Sequence, residues 1–230
     1  MKVSYLHHSG FAVEGEAAVL LFDYYTEGGR KAYFDPAAYG EKAIYVFVSH
    51  AHEDHYDRRI PDWAAQFPNI TYILSADIRT MADFAGKAYR MKPHEGLELE
   101  GLSVETLESN DEGVAFLVKF EGKTIYHAGD LNWWHWNGEP DAFNEDIRRS
   151  YTTEIDRLQG EEIDIAFVPA DLRLEDKYFW AVDYFMQTIG ARALFPMHFW
   201  GKFEVCGMLR EKEYGAAIMQ ITEENQAFQL

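Results

Sequence analysis

The sequence predicts an α+β protein in which two packed β-sheets are covered by helices, a four-layer αββα arrangement. Short apolar runs separated by turn residues recur through the chain, as expected for strands of mostly antiparallel sheets. Segments with apolar residues at three- to four-residue spacing stand among them and indicate amphipathic helices. No Pro/Gly/Ser-rich linker or internal repeat divides the 230 residues, so we expect one domain over residues 1–230.

Five short apolar runs, each bounded by polar residues or glycine, predict strands early in the chain. They are Val3–Leu6, Phe11–Val13, Val19–Phe22, Ile44–Val48 and Ile70–Leu74. Two short helices are predicted around the last of these strands, at Ile60–Phe67 and Ile78–Phe84.

Hairpins and then longer helices follow. Predicted strands are Leu102–Leu107, Val114–Phe120 and Thr124–His127, with a turn at Glu121-Gly122-Lys123. From Phe143 to Leu158 the apolar positions recur at helical spacing, so we expect an amphipathic helix with its apolar stripe in the core. The remaining predicted elements are strand Ile163–Val168, helix Phe179–Ile189, strand Ala193–Pro196, and strand segments near Ala217–Ile221 and Ala227–Leu230.

Composition narrows the possible partners. The chain has 39 acidic and 21 basic side chains, a net charge of −18, whereas nucleic-acid binding draws on clustered Lys and Arg. No apolar stretch approaches the ~18 residues that a membrane span requires, and the first residues lack the apolar core of a signal peptide. The single cysteine, Cys206, cannot form an internal disulfide. We therefore expect a cytoplasmic protein without a nucleic-acid or membrane partner; the pattern predicts no oligomeric state.

A dense group of metal-binding residue types follows the predicted strand Ile44–Val48. It consists of His50, His52, Asp54 and His55. In an extended chain residues two apart point the same way, so His50 and His52 can chelate one ion. If the chain then turns, Asp54 and His55 can bind a second ion, as in two-metal hydrolases. A solvated polar loop is the alternative, but no structural need places four such groups beside a buried strand. Imidazole and carboxylate donors suit Zn²⁺, Mn²⁺ or Fe²⁺.

Asp130 and His198 also follow predicted strands directly. Taken singly, each has an ordinary explanation, because Gly-Asp is a frequent turn and a lone histidine is often a hydrogen-bonded core residue. Beside the first cluster, both become candidate metal ligands at the same rim.

Together these residues resemble the metallo-β-lactamase-fold hydrolases, in the branch of small metal-dependent hydrolases similar to ascorbate-6-phosphate lactonase. The likeness runs from about His8 to His198, and the strings at 126–130 and 196–198 are its most specific parts. It implies an αββα sandwich with the site at one edge between the sheets. It also implies a ligand set of His50, His52, Asp54, His55, Asp130 as the bridging aspartate, and His198.

The same resemblance assigns supporting roles. Asp23, at the end of the strand Val19–Phe22, resembles the strand-end aspartate that accepts hydrogen bonds from the ligating imidazoles. His8 resembles a position close to the metals and is expected to contact substrate. His127 lies three residues before Asp130 and would point to the opposite strand face, so we expect it behind the ligands or in the core, with a ligand role as the minor alternative.

One departure from the family pattern concerns the first ion, the one assigned to His50 and His52. The family normally supplies a third histidine from the hairpin before Asp130, and this chain has Ser109, Asn110 and Asp111 there. Serine and asparagine are weak zinc ligands. The alternative is that Asp111 compensates with a hard oxygen, which favours Mn²⁺ or Fe²⁺.

Aromatic residues after Asp130 leave two interpretations open. Trp133, Trp134 and His135 either form a wall that contacts substrate or anchor a loop in the core, and Trp200 extends the same lining. Asp171 and Arg173 either bind substrate or pair with each other.

The leading hypothesis is a hydrolase with one or two divalent ions, Zn²⁺ first among them, that activates a water to attack a small-molecule ester, lactone or phosphoester. Asp54 would orient the water and shuttle its proton. A protein of this fold that has lost catalysis and acts as a binding module is the main alternative. Di-iron redox chemistry is a weaker one, because it requires a flavin or thiol partner.

Overall fold

The computed structural model describes residues 1–26, 34–79 and 87–230. The strands in these ranges are β1 (Lys2–His7), β2 (Gly10–Glu14), β3 (Ala18–Phe22), β4 (Ala43–Val48), β5 (Ile70–Ser75), β6 (Lys87–Met91), β7 (Gly96–Leu99), β8 (Leu102–Glu108), β9 (Val114–Phe120), β10 (Lys123–His127), β11 (Ile165–Pro169), β12 (Ala193–Met197) and β13 (Ala227–Gln229). The α-helices are α1 (Asp141–Asp156), α2 (Trp180–Thr188) and α3 (Glu204–Arg210). Short 3₁₀ helices cover Pro36–Tyr39, Ile60–Ala65, Leu172–Lys177 and Gly215–Ala217.

The chain forms two compact units. The first consists of Met1–Lys92 and Glu223–Leu230, and the second of Pro93–Thr222. Each unit contains one sheet. The expectation of a single domain over the whole chain stays a prediction.

The first unit has a seven-stranded sheet in the order β13-β1-β2-β3-β4-β5-β6. Neighbours from β13 to β3 run antiparallel, and neighbours from β3 to β6 run parallel. β3 is buried along its whole length, and its Phe22 stacks on Phe47 of β4 with ring centroids 4.6 Å apart. Parallel strands finish at one edge, so the residues that follow β3, β4 and β5 are brought side by side.

The second unit has a six-stranded sheet in the order β12-β11-β10-β9-β8-β7. The strands from β7 to β10 pair antiparallel, and β10, β11 and β12 pair parallel. The predicted hairpin turn is confirmed: Glu121 and Gly122 have φ values of 49° and 71°, as expected for the tight turn that matches strand twist. The ends of β10, β11 and β12 again share one edge, which places Asp130 and His198 near each other.

Helix α1 confirms the predicted amphipathic segment over most of its length. Tyr151 and Ile155 are buried, and the Tyr151 hydroxyl donates to the main-chain oxygen of Ala181 in α2 at 2.8 Å. The prediction is wrong at Phe143, which is 44% exposed. Asn144 is the buried residue there, and its side-chain amide forms two hydrogen bonds with the main chain of Trp136 in the preceding loop.

Other expectations have mixed outcomes. The expectation of mostly antiparallel strands is confirmed by a narrow majority, since six of the eleven pairings among described strands are antiparallel and five are parallel. Ala217–Ile221 is not a strand: a 3₁₀ helix ends at Ala217, and Ile218 makes only an isolated bridge to Leu194. Helix α3 was not predicted, because seven residues are too few to show a helical period. The predicted helix Ile78–Phe84 falls largely outside the described residues.

The remaining predicted strands are confirmed to within about two residues at each end. Among the helices of the described ranges, none combines the length and the apolar character that crossing a membrane requires.

Candidate functional site

The histidine-rich loop begins where β4 ends, at the edge of the first unit's sheet where the parallel strands finish. His50 Nε2 lies 3.0 Å from His52 Nδ1, so the two side chains converge as their spacing predicts. The ring of His55 lies 4.2 Å from the ring of His50, and both rings are buried. Three imidazoles of one short loop therefore meet at the strand end.

Asp23 holds this loop from the end of β3. It is fully buried, and its Oδ1 accepts from the main-chain nitrogen of Ser49 at 2.7 Å. Its Oδ2 accepts from the Ser49 hydroxyl at 2.6 Å and lies 2.8 Å from His55 Nδ1. The Ser49 oxygen in turn lies 2.9 Å from His50 Nδ1.

These contacts determine which ring nitrogens carry protons. A carboxylate only accepts hydrogen bonds, so the neutral His55 ring is protonated at Nδ1, which donates to Asp23. The Ser49 hydroxyl gives its own proton to Asp23 and therefore accepts from the Nδ1 proton of His50. In both rings Nε2 keeps its lone pair, which is the form that binds a metal ion.

Asp54 and His8 lie next to this loop in the same unit. Asp54 Oδ2 is 3.3 Å from His8 Nε2, and the carboxylate retains about a quarter of its exposure while His8 is completely buried. The His8 ring packs edge-on against His55, with centroids 5.6 Å apart. His8, Asp54 and His55 each offer a ligand atom within 4.8 Å of one another.

In the second unit, Asp130 and His198 come together at the ends of β10 and β12. Both are nearly buried, and His198 Nε2 lies 3.5 Å from Asp130 Oδ1. His198 Nδ1 donates to Asp171 Oδ2 at 2.9 Å. Asp171 follows β11, the strand between the other two. His198 is therefore protonated at Nδ1, and its Nε2 faces Asp130.

Asp171 is itself fixed by Arg173. The guanidinium donates to Asp171 Oδ2 at 2.8 and 2.5 Å, and the Arg173 main-chain nitrogen donates to Oδ1 at 2.8 Å. Burial alone would raise the pKa of Asp171, but the bonds from His198 and Arg173 outweigh it and lower the pKa to about 2. The guanidinium also packs over Trp136 and Trp200, 5.9 and 5.3 Å from their ring centroids. Of the two roles left open for Asp171 and Arg173, pairing with each other is present.

The aromatic residues after Asp130 divide into two groups. Trp134 is buried, its Nε1 donates to the Asp130 main-chain oxygen at 2.9 Å, and its ring meets His198 edge-on at 5.3 Å. Trp200, 36% exposed, lies 5.7 Å from the same imidazole.

Trp133 and His135 instead pack against Trp180 of α2, with centroids 5.3 and 4.8 Å away. They anchor the loop on a helix, and the contacts described for them do not include His198. His127 is fully buried against Phe167 in the sheet. Its place behind the metal ligands stays a prediction.

The loop that lacks the family's third histidine is well anchored. The Asn110 side chain donates to the main-chain oxygen of Asn132 at 2.9 Å and accepts from its main-chain nitrogen at 3.2 Å. The Ser109 hydroxyl accepts from the main-chain nitrogen of Asp111 at 3.2 Å. A carboxylate oxygen of the exposed Asp111 lies within 4.8 Å of one of Asp130.

A family model described as a beta-lactamase superfamily domain matches residues 2–140. This chain belongs to that superfamily. A UPF0173 metal-dependent hydrolase of Alkaliphilus metalliredigens is 27% identical over 225 residues, covering 86% of this chain and 85% of the relative. A second, from Pyrococcus abyssi, is 29% identical over 150 residues, covering 56% of this chain. The match spans 61% of that relative's length.

Solved structures support the superfamily fold. A metallo hydrolase from Ignicoccus hospitalis superposes with a TM-score of 0.67 at 15% identity, covering 100% of this chain and 98% of that protein. The predicted fold class, α+β of the metallo-β-lactamase type, is confirmed. The narrower branch that resembles ascorbate-6-phosphate lactonase stays a prediction.

The side chains of this superfamily member fit a divalent metal ion. Two ligands on a tetrahedral ion with bonds of about 2.0–2.1 Å lie about 3.3 Å apart, close to the 3.0 Å between the His50 and His52 nitrogens. His50, His55 and His198 each present an unprotonated Nε2, and each has its other nitrogen held by an oxygen. That is the usual environment of metal-ligating imidazoles. The assignment of individual ligands stays a prediction.

The supporting roles of three residues were not predicted from the sequence. Ser49 connects Asp23 to His50, Asp171 orients His198, and Asp77 at the end of β5 accepts from the main-chain nitrogen of Ala51 at 3.1 Å. The two aspartates share a pattern with Asp23, an acidic residue just after an apolar strand. Recognising that these strands are parallel would have placed all three acids at strand ends beside ligands.

Proposed function

We propose that this chain is a metal-dependent hydrolase that acts on a small-molecule ester, lactone or phosphoester. Its ligands for one or two divalent ions are His50, His52, Asp54, His55, Asp130 and His198. One observation carries the proposal: three buried histidines have Nδ1 engaged by an oxygen that fixes the tautomer, so each offers Nε2 as a ligand. A structural hydrogen-bond network has no need for three histidines in the same tautomer.

The relatives support the activity class. Those in Alkaliphilus and Pyrococcus bear the name metal-dependent hydrolase, and the Alkaliphilus match extends over most of both proteins. Zn²⁺ suits the nitrogen-rich first unit best, with Mn²⁺ and Fe²⁺ as alternatives where carboxylates dominate. A cytoplasmic location and the lack of nucleic-acid partners stay predictions from the sequence.

A divalent ion in such a site activates water as a nucleophile at neutral pH and polarises the oxygen that gains charge in the reaction. Asp54 orients the attacking water and takes up its proton. His8 Nε2 lies 3.3 Å from Asp54 Oδ2, close enough for an unprotonated Nε2 to receive that proton from the carboxylate. Because His8 is buried and Asp54 is partly exposed, the carboxylate is the member of this pair that reaches the reacting water.

Trp134 and Trp200 are the aromatic residues best placed to contact a substrate, because both flank His198. A flat, largely apolar group beside the scissile bond would pack on their rings. Trp133 and His135 pack on Trp180 of α2 and support this surface without contacting the substrate. The net charge of −18 disfavours a polynucleotide substrate.

The test combines metal stoichiometry with turnover. Purified protein is assayed for bound metals, titrated with Zn²⁺ and Mn²⁺, and offered chromogenic esters, lactones and phosphodiesters. We expect one to two equivalents of metal, and a loss of at least about 10²-fold in turnover in Asp54→Ala and His55→Ala with the circular dichroism spectrum retained. Asp62→Asn, an exposed acid in the 3₁₀ helix Ile60–Ala65, is the matched control and should be fully active.

Unchanged turnover in Asp54→Ala would refute this mechanism. A wild-type protein with less than about half an equivalent of metal, and no activation by added ions, would instead favour the binding module. A coloured, iron-rich protein that requires a flavin would favour redox chemistry.

A further inference from the structure

The loop between β8 and β9 departs from the family pattern at the position of a metal ligand. The resemblance places a histidine there, and this chain has Ser109, Asn110 and Asp111. The contacts of these residues indicate which of them can serve an ion.

The side chain of Asn110 is already used in hydrogen bonds that hold the loop. Its amide nitrogen donates to the main-chain oxygens of Asn132 and Ile147 and to the Ser150 hydroxyl, at 2.9, 3.4 and 3.1 Å. Its amide oxygen accepts from the Asn132 main-chain nitrogen at 3.2 Å. The side chain therefore ties the loop to helix α1 and to the segment after Asp130, and a metal ion would have to break these bonds to use it.

Ser109 is also engaged, and it orients its neighbour. Its hydroxyl accepts from the main-chain nitrogen of Asp111 at 3.2 Å, and its own main-chain nitrogen donates to the oxygen of Gly113 at 3.3 Å. Gly113 has a φ of 70°, which closes the turn. These bonds fix the main chain from which the Asp111 side chain projects.

Asp111 directs its carboxylate toward the predicted bridging ligand. One of its oxygens lies within 4.8 Å of an oxygen of Asp130, which is only 4% exposed. Two carboxylates this close repel each other unless a proton or a cation is shared between them. Two oxygens on one divalent ion lie at most about 4.4 Å apart, so a small side-chain rotation brings both onto the same ion.

We propose that Asp111 is a ligand of the ion bound by Asp130 and takes the place of the family's third histidine. This inference rests on the proposed function. A hard carboxylate in place of an imidazole shifts preference from Zn²⁺ toward Mn²⁺ or Fe²⁺.

The experiment measures metal affinity and selectivity directly, without a substrate. Metal-free wild type and variants are titrated with Mn²⁺, followed by electron paramagnetic resonance, and with Zn²⁺, followed by competition with a chromogenic chelator. In wild type we expect one or two equivalents of Mn²⁺. Asp111→Asn should weaken one of them by at least about tenfold. Asp111→His should raise the ratio of Zn²⁺ to Mn²⁺ affinity at that site by a similar factor.

Glu112→Gln removes the neighbouring exposed acid and is the matched control, expected to bind both metals as wild type does. Asp111 is exposed, so its variants should fold, which circular dichroism verifies. Mn²⁺ binding at the wild-type stoichiometry and affinity in Asp111→Asn, with unchanged selectivity in Asp111→His, would overturn the inference alone. A wild-type protein that binds neither metal would overturn the proposed function together with it.

Discussion

Replacing Asp23 by asparagine separates the charge of this residue from its shape. The side chain keeps its size, and asparagine tolerates the positive φ of 41° at this position. The carbonyl oxygen of asparagine can still accept from the Ser49 main-chain nitrogen, as Asp23 Oδ1 does at 2.7 Å. The amide nitrogen then replaces Oδ2 and faces two groups that previously donated to it, the Ser49 hydroxyl and His55 Nδ1.

The expected effects follow from these two contacts. Hydrogen bonds to a charged group stabilise by about 1.5–3 kcal/mol each and neutral ones by about 0.5–1.5, so two weakened bonds lower the free energy of unfolding by about 1–3 kcal/mol. His55 must also move its proton to Nε2 in order to accept from the new amide, which blocks the ligating nitrogen. We expect metal affinity to fall about 10- to 100-fold.

The two effects require separate measurements. Urea unfolding in the presence of a chelator, followed by tryptophan fluorescence, reports the loss of stability without metal. Chelator competition reports the loss of affinity. Asp35→Asn is the matched control, because Asp35 caps the 3₁₀ helix Pro36–Tyr39 and asparagine caps equally well. If Asp23→Asn matched wild type in both assays, the proposed tautomer control of His55 would be wrong.

Three other changes have defined outcomes. Asp171→Asn should reduce metal affinity about 10- to 100-fold and leave the far-ultraviolet spectrum unchanged; equal affinity in chelator competition would contradict its orienting role. Gly215→Ala should destabilise by about 1–3 kcal/mol in urea unfolding, because a Cβ there overlaps a main-chain carbonyl, whereas Gly207→Ala in the open middle of α3 should stabilise by up to about 1 kcal/mol. Burial raises the pKa of Asp164, but bonds from Lys123 and a main-chain nitrogen outweigh it, and the net pKa is lowered. The stabilisation of the fold by the ionised Asp164 carboxylate is therefore present above the unfolded pKa of about 3.9 and is lost as pH falls through the folded pKa. Asp164→Asn should have a lower free energy of unfolding than wild type at pH 7, and the two proteins should converge in acid unfolding.

Local sequence patterns predicted the strands well where a strand is buried on both faces. Val19–Phe22 and Ile44–Val48 are continuous apolar runs because β3 and β4 are buried on both faces, and such runs are recognisable in any context. The hairpin turn before Lys123 was equally clear from Glu121-Gly122. Elements with weak periodicity, such as α3 and the short β6 and β7, were missed because their few apolar residues carry no distinct period.

The sequence did not distinguish the parallel pairings from the antiparallel ones, and this limited what it predicted about the site. The hydrogen-bond partners of a strand come from distant segments of the chain. A run of apolar residues therefore has the same local pattern in a parallel and in an antiparallel sheet. Only the parallel arrangement of β10, β11 and β12 places Asp171 beside His198. The aromatic segment after Asp130 shows the same limit, since sequence spacing did not separate Trp134, next to His198, from Trp133, packed on a helix.

The sequence by itself determined the superfamily of this protein and the residue types of its candidate metal site, which are histidines and aspartates at strand ends. These depend on residue type and short spacing, which are local properties of the chain. Only the tertiary structure decided which nitrogen of each buried candidate histidine is left unprotonated and which aspartates hold the rings. Those features depend on hydrogen bonds between residues more than twenty positions apart, and such contacts form only when the sheets assemble.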